Sequence, residues 1–159
     1  MEYQKKKKTY TPKEALLKAA SYCAYQERTQ QEVRDKLYSY GLEPDDVEEL
    51  IVRLSQEKLI DEERYALAYV RGKYGLKKWG RRKIMQGLKA KGISDYCIKQ
   101  GLKEIDLDVY EQNLLQLLEK KALTEKEKNP FLRRQKLSYY LMSKGYENDL
   151  VQDALKNNE

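Results

Sequence analysis

The chain has 159 residues, 36% of them charged and 40% hydrophobic, with a net charge of +6 and no histidine. One domain suffices at that length, and the surplus of charge over apolar mass fits a shape with a high surface area. Histidine-based catalytic triads and histidine metal sites are excluded, and the regular placement of the apolar residues excludes disorder throughout.

Residues 1–11 read as a flexible basic arm holding Lys5, Lys6, Lys7 and Lys8. No apolar run follows them, so the start is not a secretory signal; such a run suits nucleic-acid contact or solubility alike. The helical period begins after Pro12, where Ala15, Ala19, Tyr22 and Cys23 share one face. Thr29 with Glu32 three residues on predicts a capped second helix whose stripe is Val33 and Leu37. Gly41 supplies a left-handed residue to end it. Pro44 opens a third helix, buried through Val47, Leu50, Ile51 and Leu54.

The plan then repeats. Asp61 caps a helix with Glu62 and Glu63 in its first turn and Tyr65, Ala66, Tyr69 and Val70 inward. A loop around Gly72, Gly75 and Gly80 leads to Ile84, Leu88 and Gly92, and Ser94 caps a helix buried through Ile98 and Leu102. From about Leu107 the third copy runs through Leu114, Leu117 and Leu118, a charged loop ending at Pro130, then Leu137, Leu141 and Gly145, and a terminal helix with Leu150, Val151 and Leu155. The three turn glycines stand 51 and 53 residues apart. No segment alternates with the period of a strand. The expected fold is all-α: an arm (1–11) and three tandem three-helix repeats (12–58, 59–105 and 106–159) stacked into an elongated, curved array. One trio of that size cannot bury enough surface alone, and stacking supplies the rest.

Charge is unevenly placed. Residues 43–63 hold nine acids against Arg53 and Lys58, whereas residues 71–91 hold nine basic residues and no acid. Those nine are Arg71, Lys73, Lys77, Lys78, Arg81, Arg82, Lys83, Lys89 and Lys91, with Tyr74 and Trp79 interleaved. Lys and Arg neutralise phosphates and release counterions, and exposed rings stack on bases, so this block is the leading binding surface. Trp79 suits stacking and a core anchor equally. Arg28, Arg34 and Lys36 make a smaller basic group in the first unit that a solvated helix exterior also explains. No phosphate-binding glycine loop of the Walker type is present, no cofactor is expected, and the carboxylates sit where helix starts and surfaces want them, so the chain does not read as an enzyme.

Fourteen of the sixteen aromatic residues are tyrosine. Tyr22, Tyr65 and Tyr69 fall at core positions, whereas Tyr38, Tyr40, Tyr139 and Tyr140 include candidates for exposure. Cys23 and Cys97 lack metal-ligand spacing and make no disulfide framework. With no segment of membrane-spanning length, a reducing cytoplasmic setting is expected, and a monomer, because the repeats can bury one another.

Three stretches resemble the RecX regulatory proteins of bacteria: Arg28 to Leu37 ending at Gly41, Leu59 to Ala66 continuing to Tyr69-Val70-Arg71, and Gly80-Arg81-Arg82-Lys83-Ile84 followed by Leu88 to Ile93. One departure is Gly87, where the family commonly has an acidic residue. The resemblance implies tandem three-helix repeats and a modulator of the RecA recombinase. Such a protein binds RecA and its filament on single-stranded DNA, limits filament growth and acts in recombinational repair. The basic block would then face DNA or an acidic recombinase surface, with Lys5 to Lys8, Arg28 and Arg34 as secondary contacts. Two rivals remain from the residues alone: an autonomous DNA-binding regulator, since helix pairs joined at glycine resemble helix-turn-helix units, and a protein scaffold whose charge serves solubility.

Overall fold

A computed structural model describes residues 9–158. Among them are nine α-helices and no strand: α1 (Pro12–Tyr25), α2 (Gln30–Ser39), α3 (Pro44–Gln56), α4 (Glu62–Gly75), α5 (Arg81–Ala90), α6 (Asp95–Leu102), α7 (Leu107–Thr124), α8 (Pro130–Ser143) and α9 (Asn148–Asn157). No helix among the described residues is long and apolar enough to cross a membrane. The chain packs as two compact units, one ending at Tyr65 and the next starting at Ala66.

Helix starts follow local chemistry. Thr11 and Glu14 form a capping box at α1, with the Thr11 hydroxyl accepting from Glu14 N–H at 3.2 Å. Thr29 accepts from Glu32 N–H at 3.1 Å, Asp61 from Arg64 N–H at 3.0 Å, Ser94 from Cys97 N–H at 3.2 Å and Asn129 from Leu132 N–H at 3.1 Å. Each side-chain oxygen satisfies a backbone donor that the first turn cannot pair internally. The repeated turns close as predicted. Gly41, Gly92 and Gly145 have φ of +83°, +77° and +99°. At the second and third, the residue after the glycine donates back into the helix: Ile93 N–H to Leu88 O at 3.1 Å and Tyr146 N–H to Leu141 O at 3.4 Å. This six-to-one closure needs a left-handed residue before it, a conformation cheap only for glycine.

In the first unit α1, α2 and α3 pack together around Ala15, Ala19, Val33, Leu37, Val47 and Leu54, all fully buried or nearly so. Burial raises the Cys23 thiol above its usual range. The arm expected over 1–11 loses its last three residues to this body. Tyr10 N–H donates to Tyr40 O at 3.0 Å, the Tyr10 and Tyr40 rings meet edge to face at 5.4 Å, and Thr9 lies against Gly41. Lys5 to Lys8 lie outside the described residues.

In the second unit α7, α8 and α9 pack on one another and α5 packs on α6. The glycine-rich loop predicted at 72–80 is shorter than expected. Helix α4 continues through Gly72 to Gly75, because a missing Cβ weakens a helix by only about 1 kcal/mol and tertiary packing overrides that. The loop proper is Leu76 to Gly80.

Candidate functional site

The α4–α5 loop, at the centre of the basic block, docks on the α8–α9 turn. Gly80 N–H donates to Lys144 O at 2.7 Å and Arg82 N–H to Gly145 O at 3.0 Å. The approach is so close that a Cβ on Gly80 would overlap the backbone of Gly145 and Tyr146, and one on Gly145 would lie 2.5 Å from Lys83 N. Both positions require glycine, Gly80 for space alone and Gly145 also for its dihedral. In the first repeat, Thr29 stands at the helix-cap position of Gly80 and uses its side chain to cap α2.

Around this join lies a buried polar network. Tyr110 and Tyr146 are 2% and 0% exposed, with rings 5.1 Å apart. The Tyr110 hydroxyl donates to Glu147 Oε1 at 2.7 Å and accepts from Arg81 N–H at 3.0 Å. The Tyr146 hydroxyl donates to Lys78 O at 2.7 Å. Lys78 reaches that contact with φ +56°, which costs a non-glycine residue about 1–2 kcal/mol. Asn113, also buried, donates to Tyr74 O at 2.8 Å. Burial, and then the bond to Glu147, raises the Tyr110 phenol far above its ordinary range; burial, and then the Glu147 charge, does the same for Tyr146.

This arrangement sorts the basic residues. Arg81 points into the network: its guanidinium pairs with Glu147 at 3.1 Å and lies 4.5 Å from the Tyr110 ring centroid. Lys78 donates to Gln116 at 2.7 Å, and Arg71 pairs with Glu104 at 3.1 Å. That last pair is well exposed and contributes at most about 1 kcal/mol. Lys73 and Lys83 converge on Trp79, their ammonium groups 4.7 and 4.3 Å from the ring centroid. Trp79 is therefore neither a full core anchor nor an open platform: it is half-buried and positions two cations. Lys77 and Arg82 are exposed beside it, and Lys89 and Lys91 are exposed near the far end of α5. Lys89 lies roughly 12 Å from Arg81 along the helix axis.

The secondary group is occupied within the first unit. Arg28 stacks 3.8 Å above the Tyr22 ring and donates to Tyr22 O at 3.1 Å, and Arg34 pairs with Glu48 at 2.7 Å. Tyr22 and Tyr69, expected in the core, are half-buried, each beneath a lysine: Lys36 lies 5.4 Å from Tyr22 and Lys73 5.3 Å from Tyr69. Tyr65 is buried as predicted, Tyr38 and Tyr139 are exposed, and Tyr40 and Tyr140 are half-buried. At Gly87 a Cβ would overlap the Tyr69 hydroxyl, so this departure from the family pattern makes room for that ring. Tyr110, Asn113 and Glu147 escaped the sequence reading. Their one visible trace was the pair of glycines, 80 and 145, that lets the backbones meet.

Three family profiles match in order: the first, second and third three-helix domains of RecX, over residues 15–54, 61–102 and 108–155. Among curated proteins, the regulatory protein RecX of Bacillus mycoides is 34% identical over 143 residues, which is 89% of this chain and 53% of that protein. RecX of Clostridium perfringens is 34% identical over 137 residues, 83% of this chain and 64% of the relative. The chain thus spans between half and two thirds of the length of these curated relatives. The crystal structure of RecX from Lactobacillus salivarius superposes with a TM-score of 0.83 at 27% identity, over 92% of this chain and 95% of that one. With all three domains matched in sequence and the fold shared, the chain belongs to the RecX family.

Proposed function

We propose that this chain modulates the RecA recombinase by binding RecA and its filament on single-stranded DNA, and that it limits filament extension. The reading rests on family membership together with one local observation: the cations at Trp79. Lys73 and Lys83 approach one ring while Lys77 and Arg82 stand exposed beside it, a concentration of positive charge that a polyanion relieves. The contact surface is Lys73, Lys77, Trp79, Arg82 and Lys83, extended along α5 by Lys89 and Lys91. Arg71 and Lys78 flank it, and Arg81 supports it from beneath through Glu147. Phosphate contacts, not base stacking, dominate, because an incoming base must first displace a lysine from the indole.

The test is assembly of RecA filaments on single-stranded DNA with and without the protein, followed by the Lys77→Ala/Arg82→Ala/Lys89→Ala variant. These three exposed side chains avoid the buried network. The expected result is inhibition by the wild type that weakens with salt, and its loss in the variant at unchanged helicity. Wild-type inhibition by the variant would remove the surface assignment. Recombinase-independent preference for particular duplex sequences at raised salt would favour the autonomous DNA reader instead.

A further inference from the structure

Within the second unit, a groove between α7 and α9 plays no part in the basic surface. It encloses about 610 Å³, and its floor is apolar, with Leu114 and Ala154 buried there. Leu107 and Leu115 stand on the α7 side, 66% and 37% exposed. With Glu111 between them, they are spaced four residues apart, so they share one face of α7 over about 12 Å. Asp149 and Asp153, also four apart, line the α9 side.

The carboxylates of this groove lack a counter-charge. Glu111, Asp149 and Asp153 are exposed and form no ion pair among the described residues. Among the described residues that line the groove the one cation is Arg81, and it pairs with Glu147 at 3.1 Å. Asp149 complements the first turn of its helix, but Glu111 and Asp153 lie beyond the first turn of theirs. The Asp149–Asp153 spacing also sets like charges one turn apart, which weakens a helix. Helix stability therefore does not account for this set. The groove repels a polyanion, so nucleic acid is not its ligand. Exposed leucines among unpaired acids complement a helix whose apolar stripe is flanked by Lys or Arg.

We propose that the α7–α9 groove docks a basic amphipathic helix of a protein partner. Two turns of such a helix match its length. The visitor's apolar stripe lies over Leu107 and Leu115, and its Lys or Arg side chains meet Glu111, Asp149 and Asp153. In the RecA filament this gives the groove a protein contact and leaves DNA to the surface around Trp79. Naming RecA as the partner rests on the function proposed above; the chemistry of the groove does not.

The test is the charge reversal Glu111→Lys/Asp153→Lys in the full chain. Both side chains are exposed and neither caps a helix, so helicity should be unchanged. Affinity for RecA filaments on single-stranded DNA should fall by about tenfold or more. Affinity for bare single-stranded DNA should hold or rise, because the variant is more positive. A general electrostatic effect would move both in the same direction. Leu107→Gln, an exposed position where no charge changes, should weaken filament binding by about threefold or more and leave bare-DNA binding alone; it decides the matter if the reversal fails to fold. A synthetic leucine–lysine amphipathic helix supplies an arm without RecA: it should bind the wild type about tenfold or more tighter than the reversal. Filament affinity unchanged or raised in the folded reversal, a parallel fall in bare-DNA binding, full filament affinity in Leu107→Gln, or equal peptide binding by both chains overturns the proposal. A dimer of the chain alone that the reversal abolishes would make a second copy the occupant and overturn it too. Failure of the wild type to bind filaments while the peptide arm holds would strike the proposed function and the naming of RecA, and leave the groove's chemistry supported.

Discussion

Replacing Gly80 by alanine isolates the join between the α4–α5 loop and the third repeat. Gly80 has φ −78° and ψ 163°, ordinary for alanine, so no backbone strain is introduced. The whole cost is the added Cβ, which would overlap main-chain atoms of Gly145 and Tyr146 that cannot rotate away. The loop must retract. Retraction breaks Gly80 N–H to Lys144 O (2.7 Å) and Arg82 N–H to Gly145 O (3.0 Å), and pulls on Arg81 N–H to Tyr110 (3.0 Å) and Tyr146 to Lys78 O (2.7 Å). Four such bonds at about 0.5–1.5 kcal/mol each sum to roughly 2–6 kcal/mol. Alanine returns about 0.4–1 kcal/mol by restricting the unfolded chain. A net loss of about 3 kcal/mol lowers the melting temperature by about 10 °C or more for a body of this size. Circular dichroism at 222 nm follows the transition. Trp79, the only tryptophan in the chain, reports the join itself by a red shift and altered quenching. A melting temperature within about 2 °C of wild type, with unchanged Trp79 emission, would refute the steric reasoning.

Gly72→Ala is the converse: it lies within α4, and beyond the helix's own backbone no atom of the described residues comes within 4 Å of the new Cβ, so it should stabilise by about 0.5–1 kcal/mol in thermal or urea unfolding. Tyr110→Phe removes the donor to Glu147 and the acceptor for Arg81 N–H and should cost about 1–3 kcal/mol, read from the same melts. Alkaline titration should separate the tyrosines. Tyr110 and Tyr146 have raised phenol pKa values in the fold, so the stability they contribute is full below the unfolded value near 10 and declines as pH rises above it. Absorbance at 295 nm should show these two ionising only on unfolding. Arg81→Ala should destabilise the second unit more than Arg82→Ala, whose side chain is exposed; equal melting temperatures would contradict the network.

Much of the architecture was legible because it is encoded locally. The period of apolar residues, Thr29, Asp61 and Ser94 at helix starts, and the left-handed glycines at 41, 92 and 145 act over a handful of residues. Each was read correctly without knowledge of its neighbours. The end of α4 was misjudged for the same reason: Gly72 lowers local propensity slightly, and packing outweighs it. The candidate site was legible only as a charge block. The reading could not tell that Arg81 turns inward, that Lys73 and Lys83 meet at Trp79, or that Thr9 packs on Gly41 and Tyr10 on Tyr40.

By itself, then, the sequence determined nine helices, their caps and turns, the repeat and the place of its positive charge. Only the tertiary structure decided which of those charges face solvent. Arg81 finds Tyr110 and Glu147 from 29 and 66 residues away, and Lys78 meets Tyr146 across 68. Contacts at such separations depend on two glycine backbones touching, a geometry that no local pattern of side chains specifies.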